Sequence, residues 1–408
     1  MIKTSFVYLA TSVFSKLSPF LLLPILTSHL STADFAKGSL YISSLGFISI
    51  LMSLGTQAVI PKYYFNEEKE NFSKIVFNVV LICSIAILIV LACVFLYFIF
   101  FNFEIYYLLL ALSAGGIVFN NLYLSLLRTM GLLKKYVFFE VFYTIANFSS
   151  VYFLVTERED FGLASWVIPV LLINICFAIF SIINFIKISN PIRCNDYNYF
   201  KSVVFLCLPL IPHSLSLIVI NISDRYILNK YLESDIVATY LLAANLSIVM
   251  KVISDAFMKA WNPFYFKNKN KKDMVLKYKQ YFIAMFIIFS IVFYFLISLI
   301  FSCFFSNEYI LALDILPVLI FSYLIFVVYQ LNVSVLISQA KTSYLKYISP
   351  FAAIVNISGN ILFIPKYGVM AAALMTSISY FIMALLTSAV INIKKDSSEK
   401  KNFNQRVM

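Results

Sequence analysis

Long apolar runs, separated by short polar segments, fill almost the whole chain of 408 residues. A helix needs about 20 apolar residues to cross roughly 30 Å of hydrocarbon. Hydrophobic residues make up 62% of the chain and charged residues 12%, so a soluble fold would lack a polar exterior. Backbone groups in lipid must be bonded within helices or closed barrels, and unbroken runs favour helices. Twelve spans are predicted, at 5–27, 38–60, 75–101, 105–127, 137–155, 162–186, 202–223, 236–257, 280–305, 312–338, 345–364 and 368–392.

The basic residues predict the orientation of these spans. With a cytoplasmic N-terminus, 24 of the 31 Lys and Arg lie in cytoplasmic segments and five in opposite ones, while Lys16 and Lys251 fall inside spans. Because Lys and Arg concentrate in cytoplasmic loops, both termini are predicted to be cytoplasmic. The first run has no Ala-x-Ala cleavage site and is interpreted as an uncleaved span. The net charge of +12 then indicates topology signals and contacts to anionic lipid, rather than nucleic-acid binding.

An internal repeat divides the twelve spans into two sets of six. Ala36 and Pro61 recur as Ala238 and Pro263, with the same spacing and an offset of 202 residues. Because six is even, both halves enter the membrane in the same direction, as in parallel-repeat transporters that enclose a central cleft. The predicted organisation is an N-terminal six-helix half over 1–190, a C-terminal half over 191–393 and a basic cytoplasmic tail over 394–408.

Several short motifs carry a resemblance that extends over the whole chain. The first half contains Pro19 and the run Leu-Gly-Thr-Gln-Ala-Val-Ile-Pro-Lys-Tyr from Leu54. The second half contains Leu-Pro-Leu-Ile-Pro from Leu208, Ser-Asp-Arg-Tyr-Ile-Leu from Ser223 and Ala-Trp-Asn-Pro-Phe from Ala260. In this order and spacing, the chain resembles polysaccharide flippases of the multidrug/oligosaccharidyl-lipid/polysaccharide exporter superfamily, in particular O-antigen repeat-unit flippases.

The resemblance implies a MATE-like, all-α membrane fold with two pseudo-symmetric six-helix bundles around a central cleft. It implies alternating access that flips an undecaprenyl-pyrophosphate-linked oligosaccharide from the cytoplasmic to the periplasmic leaflet of a bacterial inner membrane, for O-antigen or another surface polysaccharide. It implies no chemistry on the sugar and no cofactor. The expected partners are the lipid-linked oligosaccharide and membrane lipids, with a polysaccharide polymerase and a chain-length regulator as further candidates.

Lys16 is the most informative ionisable residue within the predicted spans. A charged side chain there costs about 2.5–3.5 kcal/mol on insertion scales, so its presence needs a reason. Ser12, Ser15, Lys16 and Pro19 follow helical spacing and share one face, which predicts a polar stripe towards the cleft. Lys16 could then attract the diphosphate of the substrate. The alternative is a lysine that snorkels to the interface or pairs with a carboxylate elsewhere.

Two further pairs are candidates for the cleft. Lys251 and Asp255 lie four residues apart in span eight, where they can pair along one face or take part in substrate or proton transfer. Asp224 and Arg225 end span seven on the predicted periplasmic side, either as an interfacial anchor with an ion pair or as a gate or a head-group contact. Arginine suits phosphate because its planar fork binds two oxygens at once.

Three single residues complete the candidates. His213 follows Pro209 and Pro212, which are expected to kink span seven; it is either a structural histidine or a group that titrates during transport. Lys62 and Arg128 end spans on the cytoplasmic side, as topology signals or as a basic mouth that receives the diphosphate. Intramembrane asparagines either join helices or line a sugar-accepting cavity, namely Asn120, Asn121, Asn147, Asn174, Asn245, Asn356 and Asn360.

Two other classes of function stay open. A multidrug exporter could share the fold, although cationic drugs favour an acidic cleft. A membrane polymerase or acyltransferase would need a catalytic constellation, which the short predicted periplasmic loops do not supply. Two histidines and six scattered cysteines argue against a metal site, and no Gly-rich nucleotide-binding loop is present. Proton coupling through Asp255 or His213 remains a hypothesis.

Overall fold

The computed structural model describes residues 2–101, 105–192, 197–208, 211–339 and 341–393. The described chain is almost entirely helical, and its α-helices are numbered here in chain order. They are α1 (Ile2–His29), α2 (Thr32–Ser53), α3 (Val59–Asn66), α4 (Lys69–Phe101), α5 (Tyr106–Thr129), α6 (Leu133–Glu157), α7 (Leu163–Ser189), α8 (Tyr197–Cys207), α9 (Ile211–Tyr231), α10 (Ser234–Asn268), α11 (Lys272–Phe304), α12 (Ala312–Ser338) and α13 (Leu345–Asn392).

Eleven helical segments of the described chain are long and apolar enough to cross a membrane. The last contains α13, whose 48 residues would extend ~72 Å as one straight helix, far more than a bilayer needs. Gly368 interrupts α13 with φ 61° and ψ −144°, which are not helical angles and which an L side chain rarely adopts. Two spans therefore meet at Gly368, and the structure matches the predicted count of twelve.

Some span boundaries differ from the sequence prediction. The second span was predicted at 38–60, but α2 begins six residues earlier, where the hydroxyl of Ser31 accepts a hydrogen bond from the backbone N–H of Asp34. It ends at Ser53 because Leu54 and Gly55 both take left-handed angles. The predicted kink at Pro209 and the predicted tail over 394–408 lie outside the described residues.

The helices pack as two bundles. In the first, α5 packs against α2 and α7, and α6 packs against α1 and α7. In the second, α13 packs against α9 and α12, and α12 also contacts α10 and α11. The bundles meet where α2 contacts α9 and α10, where α1 contacts α10, and where α8 contacts α3 and α4. The expected all-α, MATE-like fold class is confirmed.

The outer surface of the bundles is apolar, as lipid contact requires. Leu88 and Phe100 of α4 are 65% and 76% exposed, and Phe295 and Leu299 of α11 are 65% and 77% exposed. A protein in water rarely leaves such large apolar patches uncovered. The chain is therefore a multi-pass membrane protein, and these side chains face hydrocarbon. The side of the bundle at which α1 begins is called the N-terminal face below, and the other side the opposite face.

Candidate substrate cavity

A cavity of about 410 Å³ lies between α1, α2, α5, α6 and α7 of the first bundle and α10 of the second. Its volume is within the range of small-molecule sites. Apolar side chains form most of the wall, and polar groups converge on it from every helix except α5. The polar and aromatic lining residues are Ser15, Lys16, Ser18, Phe20, Ser39, Tyr143, Thr144, Asn147, Phe148, Trp166, Asn174 and Asn245.

Lys16 lies in the wall of this cavity, as the helical stripe in the sequence predicts. Its Nζ atom is 3.3 Å from Oδ2 of Asp255, so the pair joins α1 to α10 across the two bundles. The side chains are 48% and 31% exposed, which shows that this part of the cavity is accessible. The other carboxylate oxygen of Asp255 accepts a hydrogen bond of 3.1 Å from Gln330 of α12. Asp255 is thus held by its own bundle and paired with the other.

Further charges surround the Lys16–Asp255 pair. Lys251, the predicted partner of Asp255, is half-buried one turn away and has Asp255, Lys16 and Arg225 as electrostatic neighbours. Lys259 donates to the hydroxyl of Ser12 in α1 at 3.4 Å, a second contact between the bundles.

A carboxylate on α6 and a cation at the end of α5 complete this group. Glu140 of α6 lies near Lys16, Lys259 and Arg128. Arg128 is exposed at the end of α5, 5.8 Å from the ring centre of Tyr136. Towards the N-terminal face, four cations therefore surround two carboxylates, and the group carries net positive charge. We refer to Lys16, Arg128, Glu140, Lys251, Asp255 and Lys259 as the charge cluster.

At the opposite end, hydrogen bonds between the bundles close the cavity. The guanidinium of Arg225 in α9 donates to the hydroxyl of Ser43 in α2 and, at 3.3 Å, to the side-chain oxygen of Asn245 in α10. Asn245 in turn donates to the hydroxyl of Ser39 at 3.4 Å. Ser39 and Asn245 both line the cavity, so Arg225 lies directly behind its wall. Arg225 is only 6% exposed, in contrast to Lys16.

Three more contacts strengthen this closure. The hydroxyls of Ser44 in α2 and Tyr226 in α9 share a hydrogen bond, and Thr32 donates to the carboxylate of Asp235 at the start of α10. The ring of Phe35 lies 5.7 Å from that of Tyr309, which follows α11. These contacts close the cavity at the opposite face, whereas Lys16 and Asp255, towards the N-terminal face, are partly exposed.

Asp224 and Arg225 do not end a span. They lie within α9, which continues to Tyr231, and both are buried, with Asp224 at 4% exposure. The predicted span ended at 223 because hydropathy scores only residue type. It does not include the hydrogen-bond partners that stabilise these two charges inside the protein. The carboxylate of Asp224 accepts a hydrogen bond from Tyr240 of α10 and one of 2.8 Å from the backbone N–H of Arg225.

His213 and Lys62 lie away from the cavity. The Nδ1 atom of His213 is 2.7 Å from the hydroxyl of Ser349, so it joins α9 to α13 within the second bundle. Lys62 is exposed on α3, with its ammonium 5.5 Å from the ring centre of Tyr63. The structure brings Lys16, Lys251, Asp255 and Arg128 together, and it leaves these two outside the charge cluster.

The intramembrane asparagines divide between the two roles foreseen for them. Asn174 accepts a hydrogen bond of 2.7 Å from Tyr143 and donates to Ser113 at 2.9 Å, at the cavity wall. Asn356 and Asn360 are fully buried between the helices of the second bundle, where Asn356 accepts a hydrogen bond from Ser223 at 2.7 Å. Asn147 and Asn245 line the same cavity as Asn174, where a ligand would contact them.

Several residues of the charge cluster and of the contacts around it were not found by the sequence analysis. Glu140 lies inside predicted span five, so the rule that selected Lys16 could have selected it too. Lys259 was counted with a loop because the eighth span was ended at 257, whereas α10 continues to Asn268. No sequence pattern indicates the roles of Ser43 and Gln330, because the partner of a single serine or glutamine in an apolar helix cannot be inferred from its neighbours in sequence.

Comparison with known proteins places this architecture in a family. Residues 1–269 match the family described as polysaccharide biosynthesis protein. The chain belongs to this family. A curated relative, protein 1 of the Lsg locus of Haemophilus influenzae, is 26% identical over 281 residues, which are 67% of this chain and 68% of the relative. The resemblance on which the sequence analysis relied is thereby confirmed at the level of family.

Solved structures show the same fold. The lipid II flippase MurJ in an inward closed conformation superposes with a TM-score of 0.74 at 15% identity, covering 96% of this chain and 88% of the other. An inward-facing multidrug resistance MATE transporter gives a TM-score of 0.71 at 15% identity, with 92% and 93% coverage. The fold of this polysaccharide biosynthesis protein is therefore one that transporters use, as expected for a transporter rather than an enzyme.

Proposed function

We propose that the protein flips undecaprenyl-pyrophosphate-linked oligosaccharide from the N-terminal face to the opposite face of the membrane, for O-antigen or another surface polysaccharide. One observation carries the proposal: Lys16, half-exposed in the wall of a closed-end cavity, belongs to a net cationic cluster contributed by both bundles. A lipid diphosphate is an anion that such a cluster attracts, because charge-assisted hydrogen bonds to phosphate are the strong ones.

The rest of the cavity suits the sugar. Asn147, Asn174 and Asn245 supply amide donors and acceptors, and Tyr143 and Trp166 supply aromatic rings. Sugars present hydroxyls at their edges and C–H groups on their faces, so this mixture of groups can hold them. A MATE-like exporter of cationic drugs is the alternative on this fold, and the positive charge of the cluster opposes such a cargo.

The partial exposure of Lys16 supports the proposed direction of transport. In the sequence, 24 of the 31 basic residues lie in segments predicted to be cytoplasmic, which supports a cytoplasmic location for the N-terminal face in the inner membrane. A substrate made in the cytoplasm would enter beside Lys16, and the closure at Arg225 would hold it back until the bundles rock. Entry from one face and release at the other, around one central site, is the alternating-access mechanism.

Deletion of the gene in its host tests the proposal. We expect loss of surface polysaccharide, with lipid-linked repeat units accumulating in the inner leaflet. Plasmid copies of the wild type and of Lys16→Arg restore the polysaccharide, while Lys16→Ala at equal protein level does not. Lys135→Ala, an exposed lysine at the start of α6, is the matched control and should behave as wild type. Unchanged surface polysaccharide in the deletion strain contradicts the proposal.

A further inference from the structure

Arg225 has an unusual position for a buried cation. It is 6% exposed, and its Nε atom has no hydrogen-bond partner within the described part of the chain. Its two described side-chain contacts are to neutral acceptors, Ser43 and Asn245. A buried donor without a partner is unfavourable, and more so when it is charged, so the environment leaves part of the guanidinium unsatisfied.

The neighbouring carboxylate does not fill this gap through a hydrogen bond to the side chain. The described hydrogen bonds of Asp224 come from Tyr240 and from the backbone N–H of Arg225. Asp224 is therefore engaged by α10 and by its own helix. Its charge partly balances that of Arg225, but the Nε atom of the guanidinium is left without an acceptor.

Arg225 is also the far end of a series of cations. Lys251 of α10 has both Lys16 and Arg225 as electrostatic neighbours, and Lys259 has Lys16 as a neighbour. Asn245, which contacts Arg225, and Lys259 are separated by fourteen residues of one helix, which is ~21 Å along its axis. Cations thus follow the interface of the bundles over much of the roughly 30 Å hydrocarbon thickness.

We propose that Arg225 is a second phosphate-binding residue of the cavity, covered in this conformation, which receives the anion from Lys16 when the bundles separate at the opposite face. The inference rests on the proposed function for the identity of its cargo. Ser43 belongs to the first bundle, so separation removes this contact, while Asn245 remains beside Arg225 in the second bundle. The opened guanidinium then offers its planar fork to two phosphate oxygens.

Two variants separate this role from that of a simple latch. Ser43→Ala removes the hydrogen bond between Arg225 and Ser43 but keeps the cation, whereas Arg225→Gln removes both the hydrogen bond and the cation. Ser39 is 2% exposed and lies on the cavity side of the closure at Arg225. We therefore use Ser39→Cys, in a protein whose six native cysteines have been replaced, to report opening of the opposite face. A membrane-impermeant maleimide added outside intact cells labels the reporter only when the opposite face opens. Both variants are expected to increase its labelling several-fold over the same background.

Transport then distinguishes the two roles. With a phosphate-binding Arg225, Ser43→Ala retains surface polysaccharide, Arg225→Lys retains part of it, and Arg225→Gln reduces it by about tenfold or more at equal protein level, because a hydrogen bond to a charged group is lost. Equal loss in Ser43→Ala and Arg225→Gln overturns the proposal, since the closure alone would then explain the effect. Normal transport by Arg225→Gln overturns it as well.

Inorganic pyrophosphate provides a test that does not need the sugar substrate. In the Ser43→Ala background, pyrophosphate added outside should slow labelling of Ser39→Cys by a few-fold, and adding Arg225→Gln should abolish this protection. Equal protection with and without Arg225→Gln overturns the proposal. Protection that depends on Arg225 supports the anion site, whatever the cargo. Unchanged surface polysaccharide after deletion of the gene would separately contradict the proposed cargo.

Discussion

Lys16 of α1 and Asp255 of α10 form an ion pair of 3.3 Å that joins the two bundles at the accessible end of the cavity. Asp255 also accepts a hydrogen bond of 3.1 Å from Gln330 of its own bundle. Both side chains are partly exposed, so an entering anion can compete for the ammonium of Lys16. We therefore expect the pair to help hold the bundles together until an anion replaces the carboxylate.

The first prediction concerns this competition. Asp255→Asn removes the internal carboxylate, so we expect purified protein to bind inorganic pyrophosphate several-fold more tightly, measured by calorimetry at low ionic strength. The gain should decrease with salt, because screening weakens partly exposed charges. Asp273→Asn, at an exposed acidic residue at the start of α11, is the matched control and should leave the affinity unchanged. Weaker binding by Asp255→Asn would show that the carboxylate serves the ligand rather than opposing it.

The second prediction concerns the packing that positions the cavity wall. A Cβ atom on Gly116 of α5 would lie 2.8 Å from the backbone oxygen of Asn174 in α7, and that backbone cannot move aside easily. We expect Gly116→Ala to lower the free energy of unfolding by roughly 1–3 kcal/mol, the usual effect of overpacking. The thermal unfolding midpoint in detergent measures it.

Gly46 supplies the control for this experiment. It is also helical, and a Cβ atom there would meet nothing within 4 Å. Gly46→Ala should therefore leave the midpoint unchanged or raise it slightly, since alanine favours helix by about 1 kcal/mol over glycine. An equal decrease in both variants would mean that helix–helix contact at Gly116 is not the cause.

The third prediction concerns Lys341, which the count of cytoplasmic Lys and Arg treats only as a basic loop residue. Lys341 is 6% exposed, and its ammonium donates to the backbone oxygens of Val390, Ile391 and Ile393 at 3.0, 3.3 and 2.6 Å. It thus satisfies the last carbonyls of α13, where a cation is also favoured by the helix dipole.

Replacement by methionine keeps the length of the Lys341 side chain and removes the donor. Lys341→Met should lower the free energy of unfolding by on the order of 3 kcal/mol, because several charge-assisted hydrogen bonds are lost. Lys346→Met, at an exposed lysine on the same face, should have little effect. Equal stability of the two variants in detergent unfolding would contradict a structural role for Lys341.

The fourth prediction concerns orientation. Asn270 lies in the exposed turn between α10 and α11 at the N-terminal face, and Asn307 lies in the exposed turn after α11 at the opposite face. In a protein without native cysteines, Asn307→Cys should react with an impermeant maleimide on intact spheroplasts. Asn270→Cys should react only after permeabilisation. The reverse pattern would invert the membrane orientation and, with it, the direction of transport.

The sequence predicts the spans well because lipid imposes a simple rule. Every backbone group must be bonded within its helix, so apolar length alone locates the helices, and even the division of α13 at Gly368 is visible as two adjacent runs. The helix ends are less predictable. The continuation of α9 past Asp224 depends on Tyr240, and the early start of α2 depends on the cap at Ser31.

The sequence identifies which residues of the candidate site are unusual in a span, but it does not identify which side chains they contact. Lys16 is detectable because an ionisable residue in a span needs a reason. Its partner Asp255 is 239 residues away, and local spacing instead favours Lys251, four residues from Asp255. Which side chains meet is decided by how α1, α10 and α12 pack, and that information is spread over every contact between the bundles. For the same reason no local pattern connects Arg225 with Ser43.

Transport of a purified substrate measures the central claim most directly. Wild-type protein, Lys16→Ala and Lys16→Arg are reconstituted in liposomes that contain a fluorescent polyprenyl-pyrophosphate oligosaccharide, and a membrane-impermeant quencher reports how much reaches the outer leaflet. The account predicts transfer by the wild type and by Lys16→Arg, and transfer by Lys16→Ala reduced about tenfold or more, since a charge-assisted contact to phosphate is lost. Transfer by Lys16→Ala at the wild-type rate, or no transfer by the wild type above protein-free liposomes, would contradict it.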